Sequence, residues 1–412
     1  MYGCITGDRV PELLYLDTAR LGRMSPGAAA AHRDFVALAG DEGGGLYFDR
    51  FLAGGFRDCP DAFATRYPGL ANWRGVGGLK ADLRGLAGCA PDSPLLLASR
   101  STALMRFAAR LLFHPCRNVL TTDLDWPPYR AVLAAEAAAA ARTLTEVPLR
   151  EGVLSGRLSE AELVEVVCDR FARAGCDGLY LTAVNNLGVR FPVERVVRRL
   201  EAAHTVRIVV VDGAQEFCHA PHSHRFETCD LYLAGAHKWM RGYQPLGMAF
   251  YGRRQSRGRV RTVLSHGLRS GEIDDPLLRF TARLESGIDQ HVSETVNLTP
   301  LFSANGALAD ACDSAGAWTT RMRNLDAAAA TLLAVGWEPV LPDRDFRSGI
   351  LLARAERPKI QAADSDSLRA ALREAGIAAT TYPGGLVRLS MPSDSWRPGE
   401  LDHLGRAFKL IA

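Results

Sequence analysis

Short apolar runs alternate with amphipathic stretches between about residues 94 and 252. The runs are rich in Leu, Val and Ile without polar alternation, which is typical of strands buried on both faces of a sheet. They are "PLLLAS", "NVLTTD", "GLYLTAV", "RIVVVDGA", "LYLAGA" and "GMAFYG". Helices are predicted at Ser101 to Phe113, Pro127 to Arg142, Leu158 to Ala174 and Pro192 to His204. This alternation predicts an α/β layered domain with a mainly parallel sheet.

The chain after about Ser303 has a different pattern. A long helical pattern runs through "SANGALADAC" and "RMRNLDAAAATLLAVG". Two strand candidates, "GILLARA" and "GLVRLSM", then flank a helix at "SDSLRAALREAG". This pattern predicts a smaller α+β domain. We therefore divide the chain into an N-terminal arm (1–20), a large domain (21–302) and a small C-terminal domain (303–412).

Composition excludes several classes of function. The chain has 412 residues, 47% of them hydrophobic, which is long enough for two domains with substantial cores. A net charge of +3 without a basic block gives no indication of a nucleic-acid partner. The alanine-rich run "AVLAAEAAAAARTL" is too short to span a bilayer, and no secretory signal is visible at the start. Nine cysteines without a CxxC pair fit reduced thiols, so we expect a cytoplasmic protein.

A carboxylate and a lysine follow two of the predicted strands. Asp212 opens "DGAQ" after "RIVVV", and Lys238 stands in "GAHKWM" after "LYLAG". Burying either charge is costly unless something binds it. Ligands of parallel α/β sheets collect beyond the carboxyl ends of the strands, where both residues fall. The pattern predicts that one ligand contacts both.

Pyridoxal phosphate is a ligand that needs such a pair. Its aldehyde needs an amine, and its ring nitrogen needs a carboxylate that keeps it protonated. Ser101 and Thr102 stand where a strand turns into a helix, and hydroxyls beside free N–H groups form an anion site for the phosphate. Trp126, just past another strand end, offers a surface on which the ring can stack.

Each of these residues has a plainer interpretation. Ser101 and Thr102 alone fit an ordinary helix cap, and Trp126 alone fits a core residue. Asp212 could begin a loop, and Lys238 could be solvated. The joint arrangement in chain order favours the cofactor site.

Several segments together resemble a known family. They are "YLDTARLGRMSP", "SRSTALM", "DLDWPPYRAVL", "NNLGVRFPV", "VVVDGAQ", "AHKWMRGYQPLGMAFY" and "VRLSMP". In this order they resemble fold-type I pyridoxal phosphate enzymes of the class V aminotransferase superfamily, which includes cysteine desulfurases, isopenicillin N epimerase and kynureninase. The resemblance implies a PLP-dependent transferase fold with a mainly parallel seven-stranded sheet and a smaller α+β C-terminal domain.

The resemblance also implies a role for each matching residue. Lys238 would form the Schiff base with pyridoxal 5'-phosphate and move protons, and Asp212 would pair with the ring nitrogen. The remaining cofactor contacts would come from Gln215 at the ring hydroxyl, Trp126 on the ring face, Ser101, Thr102 and His237 at the phosphate, and Asn185 near the cofactor and the substrate carboxylate. Arg388 would bind the α-carboxylate of an amino-acid substrate, for which a planar guanidinium is also chemically suited.

The chain departs from the family at several positions. Gly235 stands where relatives often have a serine for the phosphate, and Ile288 where they have a threonine from the partner subunit. Thr295 or Ser293 would have to supply the phosphate contacts that are missing at these two positions. Trp126 stands where desulfurases have a histidine. No cysteine follows Cys312, whereas desulfurases carry a sulfur-accepting cysteine shortly before the C-terminal arginine, so we do not expect persulfide chemistry.

A cluster of histidines and cysteines follows "DGAQ". Its members are Cys218, His219, His222, His224 and Cys229. Residues of this type can bind zinc, but the spacing matches no standard finger, so we predict no metal. His219 or His224 could equally be an active-site side chain or lie on the surface.

These observations predict a homodimeric pyridoxal phosphate enzyme, with its active site at the subunit interface, that acts at Cα of an amino acid or amino-acid-like metabolite. Transamination is the leading reaction. Elimination, epimerisation and decarboxylation are the alternatives, because all of them weaken one bond to Cα through the same electron sink. A non-enzymatic cofactor sensor is a further alternative, although no DNA-binding segment is attached.

Overall fold

A computed structural model describes residues 13–43, 46–58, 62–286, 296–311 and 314–411. Its strands are β1 (Leu14–Tyr15), β2 (Leu95–Ala98), β3 (Asn118–Thr122), β4 (Thr143–Val147), β5 (Gly178–Thr182), β6 (Ile208–Asp212), β7 (Leu231–Gly235), β8 (Gly247–Tyr251), β9 (Trp337–Val340), β10 (Ile350–Ala355), β11 (Ile377–Ala378), β12 (Thr380–Tyr382) and β13 (Leu386–Ser390).

Its helices are α1 (Pro26–Glu42), α2 (Leu46–Gly54), α3 (Ala62–Arg66), α4 (Gly75–Ala87), α5 (Ser101–Phe113), α6 (Pro127–Ala139), α7 (Arg150–Leu154), α8 (Glu160–Arg173), α9 (Val193–Glu201), α10 (Arg257–Ser270), α11 (Pro276–Ser286), α12 (Thr299–Asp310), α13 (Ser314–Leu333), α14 (Pro358–Gln361), α15 (Ser365–Glu374) and α16 (Glu400–Ile411). None of the helices in these ranges is long and apolar enough to cross a membrane.

A seven-stranded sheet in the order β2-β8-β7-β6-β5-β3-β4 forms the larger part of the molecule. Neighbouring strands run parallel from β4 to β7, and β8 pairs antiparallel with both β7 and β2. The central strands β5, β6 and β7 are buried along their whole length, because helices cover both faces. The predicted α/β fold with a mainly parallel seven-stranded sheet is confirmed.

Element bounds differ from the sequence pattern in several places, and two of them have a clear physical reason. The strand β4 was not predicted, because the exposed residues Thr143 and Glu146 interrupt its apolar run at the edge of the sheet. The helix predicted to reach Arg142 ends at Ala139, since Ala141 adopts a left-handed φ of 51° that a helix cannot continue through.

The C-terminal region forms a second core. Its antiparallel sheet has the order β12-β13-β10-β9, and apolar residues of α13, α15 and α16 pack with it. Leu16 belongs to this core, and β1 pairs with β11. Phe302 and Ala304 of α12 instead join the core of the large sheet, where α12 packs on α1. The domain boundaries at residues 20 and 302 stay a prediction.

The segment after β1 links the two regions. Leu16 accepts a backbone hydrogen bond from Ser390 on the C-terminal side, at 2.7 Å, and Gly22 donates one to His237 O at 2.8 Å. A Cβ atom on Gly22 would lie 2.0 Å from Lys238 O, so only glycine lets the chain pass this close to the lysine. The segment thereby fixes β13 next to the loop that carries Lys238.

Candidate active site

A cavity of about 590 Å³ opens beside the carboxyl ends of β5 and β6. Eight of the nine predicted site residues line its wall. They are Ser101, Thr102, Trp126, Asp212, Gln215, His237, Lys238 and Arg388. The cavity therefore brings together residues that lie up to 287 positions apart in the chain, counted from Ser101 to Arg388.

Asp212 ends β6 and is buried. Its Oδ1 accepts the Ala214 N–H at 2.9 Å, and its Oδ2 accepts the Tyr180 hydroxyl at 3.4 Å. Burial raises the pKa of Asp212, while the Ala214 N–H, the Lys238 charge and the Tyr180 hydroxyl act in the opposite direction. The carboxylate therefore has few partners of its own and gains from a cation placed in the cavity.

Lys238 lies on the loop between β7 and β8 and faces the same cavity. Burial lowers its pKa to about 8, although Asp212 opposes the shift. About a tenth of the amine is therefore unprotonated at pH 7, far more than for an ordinary lysine, and this fraction can act as a nucleophile. Arg241 and Tyr243 on this loop adopt a left-handed φ of 62°, a conformation that costs energy for residues other than glycine.

The first turn of α5 carries Ser101 and Thr102. The first N–H groups of a helix have no acceptor within the helix, so they can bind an anion. Tyr129 donates its hydroxyl to Ser101 Oγ at 3.1 Å and holds that side chain in the wall. A Cβ on Gly247 would lie 2.7 Å from Ser101 N, so this glycine lets β8 pack directly against the helix start.

His237 occupies the space beside Gly235. A Cβ at position 235 would lie 3.0 Å from His237 Cε1, so a serine there would crowd the imidazole ring. Burial, and then the charge of Lys238, lowers the pKa of His237 to about 4, which keeps the ring neutral at pH 7. Its Nδ1 is buried without a hydrogen-bond partner in the described residues, so a ligand can supply one.

Trp126 and Gln215 differ in how freely they face the cavity. The Trp126 side chain is 44% exposed and meets Tyr129 edge-on at 5.0 Å, so Trp126 is not a core residue. Gln215 is buried, and its carboxamide donates to Ala19 O at 2.7 Å and accepts from Trp239 Nε1 at 2.7 Å. One amide hydrogen of Gln215 remains for a ligand.

Asn185 is the predicted residue that does not line the cavity. Its Oδ1 accepts the N–H groups of Leu187 and Val189, both at 2.9 Å, so the side chain closes a turn. The next residue, Asn186, lines the wall and points its Nδ2 at the Tyr382 hydroxyl, 3.4 Å away. Asn185 Nδ2 is buried without a partner in the described residues, so a cofactor role for Asn185 stays a prediction.

Arg388 reaches the cavity from β13 and is buried. Its Nη1 donates to Asn186 O at 3.1 Å, and its Nη2 donates to Thr380 Oγ1 at 3.0 Å and lies 3.5 Å from Asp17 Oδ1. The Nε group is buried without a partner in the described residues. The guanidinium is thus held in place and keeps donors available for an anionic group.

Sequence reasoning missed several residues of the wall. They include Arg20, Arg100, Tyr129, Thr182, Asn186, Thr380 and Tyr382. Thr182 ends β5, so the strand-end rule that identified Asp212 could also have identified it. Thr380 pairs with Arg388 across two strands, and no local signal marks Arg20. Four cations and one carboxylate, Asp212, line the cavity among the described residues, which favours an anionic ligand.

The histidine cluster lies outside this cavity. His219 and His224 are buried rather than on the surface, and neither lines the cavity wall. The His219 ring stacks on Trp239 with centroids 3.7 Å apart. Within the described ranges, no group of three or more His, Cys, Asp or Glu side chains could hold a metal ion.

The residues predicted to compensate for missing phosphate contacts cannot be placed. Ile288, Ser293 and Thr295 lie outside the described residues, as does Cys312. A contribution of Thr295 or Ser293 to the phosphate therefore stays a prediction.

Comparisons with known proteins agree with the fold. The family model "Aminotransferase class-V" matches residues 98–275. No protein of curated function matches the chain in sequence. Among solved structures, a NifS-like protein is 16% identical, with 97% of this chain and 99% of that chain covered and a TM-score of 0.67.

Two further solved structures belong to different reaction classes. The alanine–glyoxylate aminotransferase from Nostoc sp. is 14% identical over 99% of this chain and 97% of that chain, with a TM-score of 0.67. The cystine C–S lyase C-DES, in complex with its product cysteine persulfide, is 15% identical over 97% of this chain and 98% of that chain, with a TM-score of 0.69. At these identities the likeness shows the fold.

Proposed function

Because this chain carries a class V aminotransferase domain on the fold-type I scaffold, we propose that it is a pyridoxal phosphate enzyme that transaminates an amino acid or amino-acid-like metabolite. The observation that carries the proposal is the placement of Asp212 and Lys238 in one cavity beside the start of α5. An acid, an amine and an anion site are the three features that the cofactor requires.

The residues present fit pyridoxal phosphate. Buried polar atoms without partners in the described residues, His237 Nδ1 and Asn185 Nδ2, belong to or adjoin the wall. Such atoms are costly unless a ligand satisfies them. Ser101, Thr102 and His237 would hold the phosphate, Gln215 the ring hydroxyl, Trp126 the ring face and Asp212 the ring nitrogen.

The side chains of this chain have distinct tasks in the proposed reaction. When bound, the cofactor supplies an electron sink for the bond that breaks at Cα. Asp212 would keep the ring nitrogen protonated, and Trp126 would shield one ring face from water. Lys238 would hold the cofactor at its aldehyde, and its amine would move a proton at Cα of the substrate. Arg388 binds and orients the α-carboxylate, since its guanidinium is already fixed by Asn186 O and Thr380.

The alternative is a lyase, an epimerase or a decarboxylase of the same superfamily, because the same residues would serve any of these reactions. The structural neighbours named above include both an aminotransferase and a lyase, so they do not separate the two classes. No cysteine lines the cavity among the described residues. This supports the expectation that the enzyme does not accept sulfur as a persulfide.

Product analysis with a panel of amino acids, with and without a keto acid, tests the reaction. If transamination is correct, the amino donor alone bleaches the visible band of the holoprotein, and a keto acid alone restores it. Repeated turnover without a keto acid, accompanied by ammonia, carbon dioxide or an inverted substrate, would establish the alternative instead.

Borohydride reduction followed by peptide mapping tests the cofactor site. The label should appear on the peptide that contains Lys238, and Lys238→Ala should remove both the label and nearly all turnover. A label on any other lysine contradicts the assignment.

Arg388→Ala tests whether the substrate carries an α-carboxylate. Removing one partner of a buried charged pair costs about 2 to 5 kcal/mol, so kcat/KM should fall at least about thirtyfold while the visible spectrum stays intact. Arg354→Ala, an exposed arginine on the neighbouring strand β10, is the matched control. Equal effects of the two substitutions would contradict the amino-acid assignment.

We further propose a homodimer with the active site at the subunit interface. The support is the open side of the cavity, where Trp126 is 44% exposed in the single chain. A monomer in analytical ultracentrifugation that keeps full activity would contradict this proposal.

A further inference from the structure

Asp125 is a buried carboxylate that the proposed reaction does not use. It lies in the turn between β3 and α6, directly before Trp126, and is 1% exposed. It does not line the cavity, although its neighbour Trp126 does. A buried charge is costly, so its partners and position call for an explanation.

Polar donors from two strands surround this carboxylate. Asp125 Oδ2 accepts the Thr121 hydroxyl at 2.6 Å and the Thr122 N–H at 2.8 Å. Asp125 Oδ1 accepts the Thr182 hydroxyl. None of these donors is a cation, so the negative charge of Asp125 is solvated by dipoles and is not cancelled.

These contacts connect two sides of the cavity wall. Thr182 ends β5, lines the cavity and lies opposite Asp212 in the register of β5 and β6. Trp126 follows Asp125 in the chain and lines another part of the wall. One carboxylate thus fixes Thr182, beside the ring-nitrogen partner, relative to Trp126, the proposed ring-stacking residue.

We propose that Asp125 is a positioning residue of the cofactor site: it sets the distance between Trp126 and Thr182, and it adds a second negative charge near Asp212 that favours the protonated cofactor. This inference rests on the cofactor assigned in the proposed function.

The charge state of Asp125 supports the electrostatic part of this proposal. Burial raises the pKa of Asp125 to about 6, against the hydrogen bonds from Thr121, Thr182 and Thr122, and the charge of Asp212 raises it further. The carboxylate is therefore mainly ionised above pH 7.

Other titratable groups face the same region and enter the pH dependence. Tyr180 from β5 and Tyr129 from α6 both have a raised pKa, chiefly because they are buried, so they stay neutral below pH 9. Asp212 from β6 is the other carboxylate. The two acids are thus the groups whose negative charge acts on the cofactor.

A second acid on the same turn provides a matched control. Asp123 Oδ1 accepts the N–H groups of Leu149 and Arg150, at 2.7 and 2.9 Å. Asp123 does not line the cavity and has no contact with Thr182 among its hydrogen bonds. An asparagine at position 123 keeps the one oxygen that accepts both N–H groups. An asparagine at position 125 keeps one acceptor oxygen and turns the other into an amide donor, so Asp125→Asn removes the charge together with one of the acceptors that Asp125 uses. Asp123→Asn therefore controls for the loss of a charge in this turn.

The decisive measurement is the pH titration of the visible absorption of the holoprotein. Because a nearby negative charge stabilises the protonated cofactor, Asp125→Asn should move the midpoint to lower pH by about one unit, the scale of a unit charge several ångströms away at an effective dielectric of about 20. Asp123→Asn should leave the midpoint unchanged. Equal midpoints in all three proteins would overturn the electrostatic part.

A second pair of variants tests the positioning part and remains informative if Asp125→Asn does not fold. Thr182→Val removes the hydroxyl that donates to Asp125, and Thr182→Ser keeps it. Thr182→Val should weaken the binding of pyridoxal phosphate to the apoprotein about three- to tenfold, on the scale of one lost hydrogen bond, and Thr182→Ser should restore it. Unchanged affinity in Thr182→Val contradicts the positioning role.

The wild-type protein separates the two proposals. Wild-type protein that takes up no pyridoxal phosphate contradicts the proposed function and this inference together. Wild-type protein that binds the cofactor, with variants that behave as wild type, contradicts only the role of Asp125.

Discussion

Two buried carboxylates stand four residues apart, Asp212 at the end of β6 and Glu216 just after it, and their surroundings differ. Glu216 is fully enclosed: Ser223 N–H donates to Oε1 at 2.7 Å, Tyr232 donates to Oε2 at 3.1 Å, and His222 Nδ1 lies 2.9 Å from Oε2. Asp212 has one short hydrogen bond, from Ala214, and a long one from Tyr180. Glu216 therefore has its partners within the chain, whereas Asp212 faces a cavity.

The pKa values of the two acids follow from this difference. Burial alone would raise both. At Glu216 the hydrogen bond from His222 and the charges of His224 and His222 outweigh burial, so the pKa is lowered. At Asp212 burial prevails and the pKa is raised. A buried acid whose partners do not offset its burial is typical of a ligand site, and a fully satisfied one is typical of a structural network.

Replacing Asp212 should have the largest effect on activity. Asp212→Asn removes the negative charge that would keep the ring nitrogen of the cofactor protonated. Turnover should therefore fall about a hundredfold or more, the scale for one preorganised charged partner. The cofactor should still bind, and the unfolding free energy of the apoprotein should not fall, because a poorly solvated buried charge is lost. Near-normal kcat in this variant would remove the distinction between the two acids.

Replacing Glu216 should instead act on stability. Glu216→Ala leaves the Ser223 N–H without its acceptor and leaves the Tyr232 hydroxyl only the long contact to Gly213 O at 3.4 Å. The free energy of unfolding should therefore fall by about 2 to 3 kcal/mol. Urea unfolding measures this loss, and retained cofactor binding is the control. Because the folded pKa of Glu216 is lowered, its contribution exists above its ordinary value of 4.5 and is lost as the pH falls below it. The difference in unfolding free energy between the wild type and Glu216→Ala should therefore become smaller in acid.

The rate of cofactor uptake should distinguish the two acids again. Only unprotonated Lys238 can attack the aldehyde, and its pKa is lowered to about 8, so uptake by the apoprotein should slow about tenfold for each pH unit below 8. Asp212 raises the pKa of Lys238, so Asp212→Asn should move the midpoint of the pH dependence of the uptake rate to lower pH. Stopped-flow absorbance measures this. A similar shift in Glu216→Ala would show that the effect is not specific to the cavity.

The residues that could be predicted from the sequence are those marked by their own strand or helix. Asp212, Lys238, Ser101 and Thr102 follow or begin regular elements, and the carboxyl ends of parallel strands meet at one edge. The edge strand β4 was missed because Thr143 and Glu146 are exposed and interrupt its apolar run.

The rest of the wall depends on contacts between distant segments. Arg20 and Tyr382 reach the cavity because β1 pairs with β11 and β12 pairs with β13, and no local pattern encodes these pairings. The partners of Gln215, Ala19 and Trp239, likewise come from elsewhere in the chain. The sequence could assign Gln215 to the cavity but not show how it is held.

The two adjacent asparagines repeat the contrast between Glu216 and Asp212 on a smaller scale. Asn185 Oδ1 is committed to the backbone of Leu187 and Val189, whereas Asn186 lines the cavity. Asn185→Ala should lower the free energy of unfolding by about 1 to 2 kcal/mol, because two buried N–H groups lose an acceptor, and should leave KM unchanged. Asn186→Ala should raise KM for the amino-acid substrate about three- to tenfold at unchanged stability, the scale of one weak hydrogen bond. The opposite pattern, a raised KM in Asn185→Ala alone, would return the substrate role to Asn185.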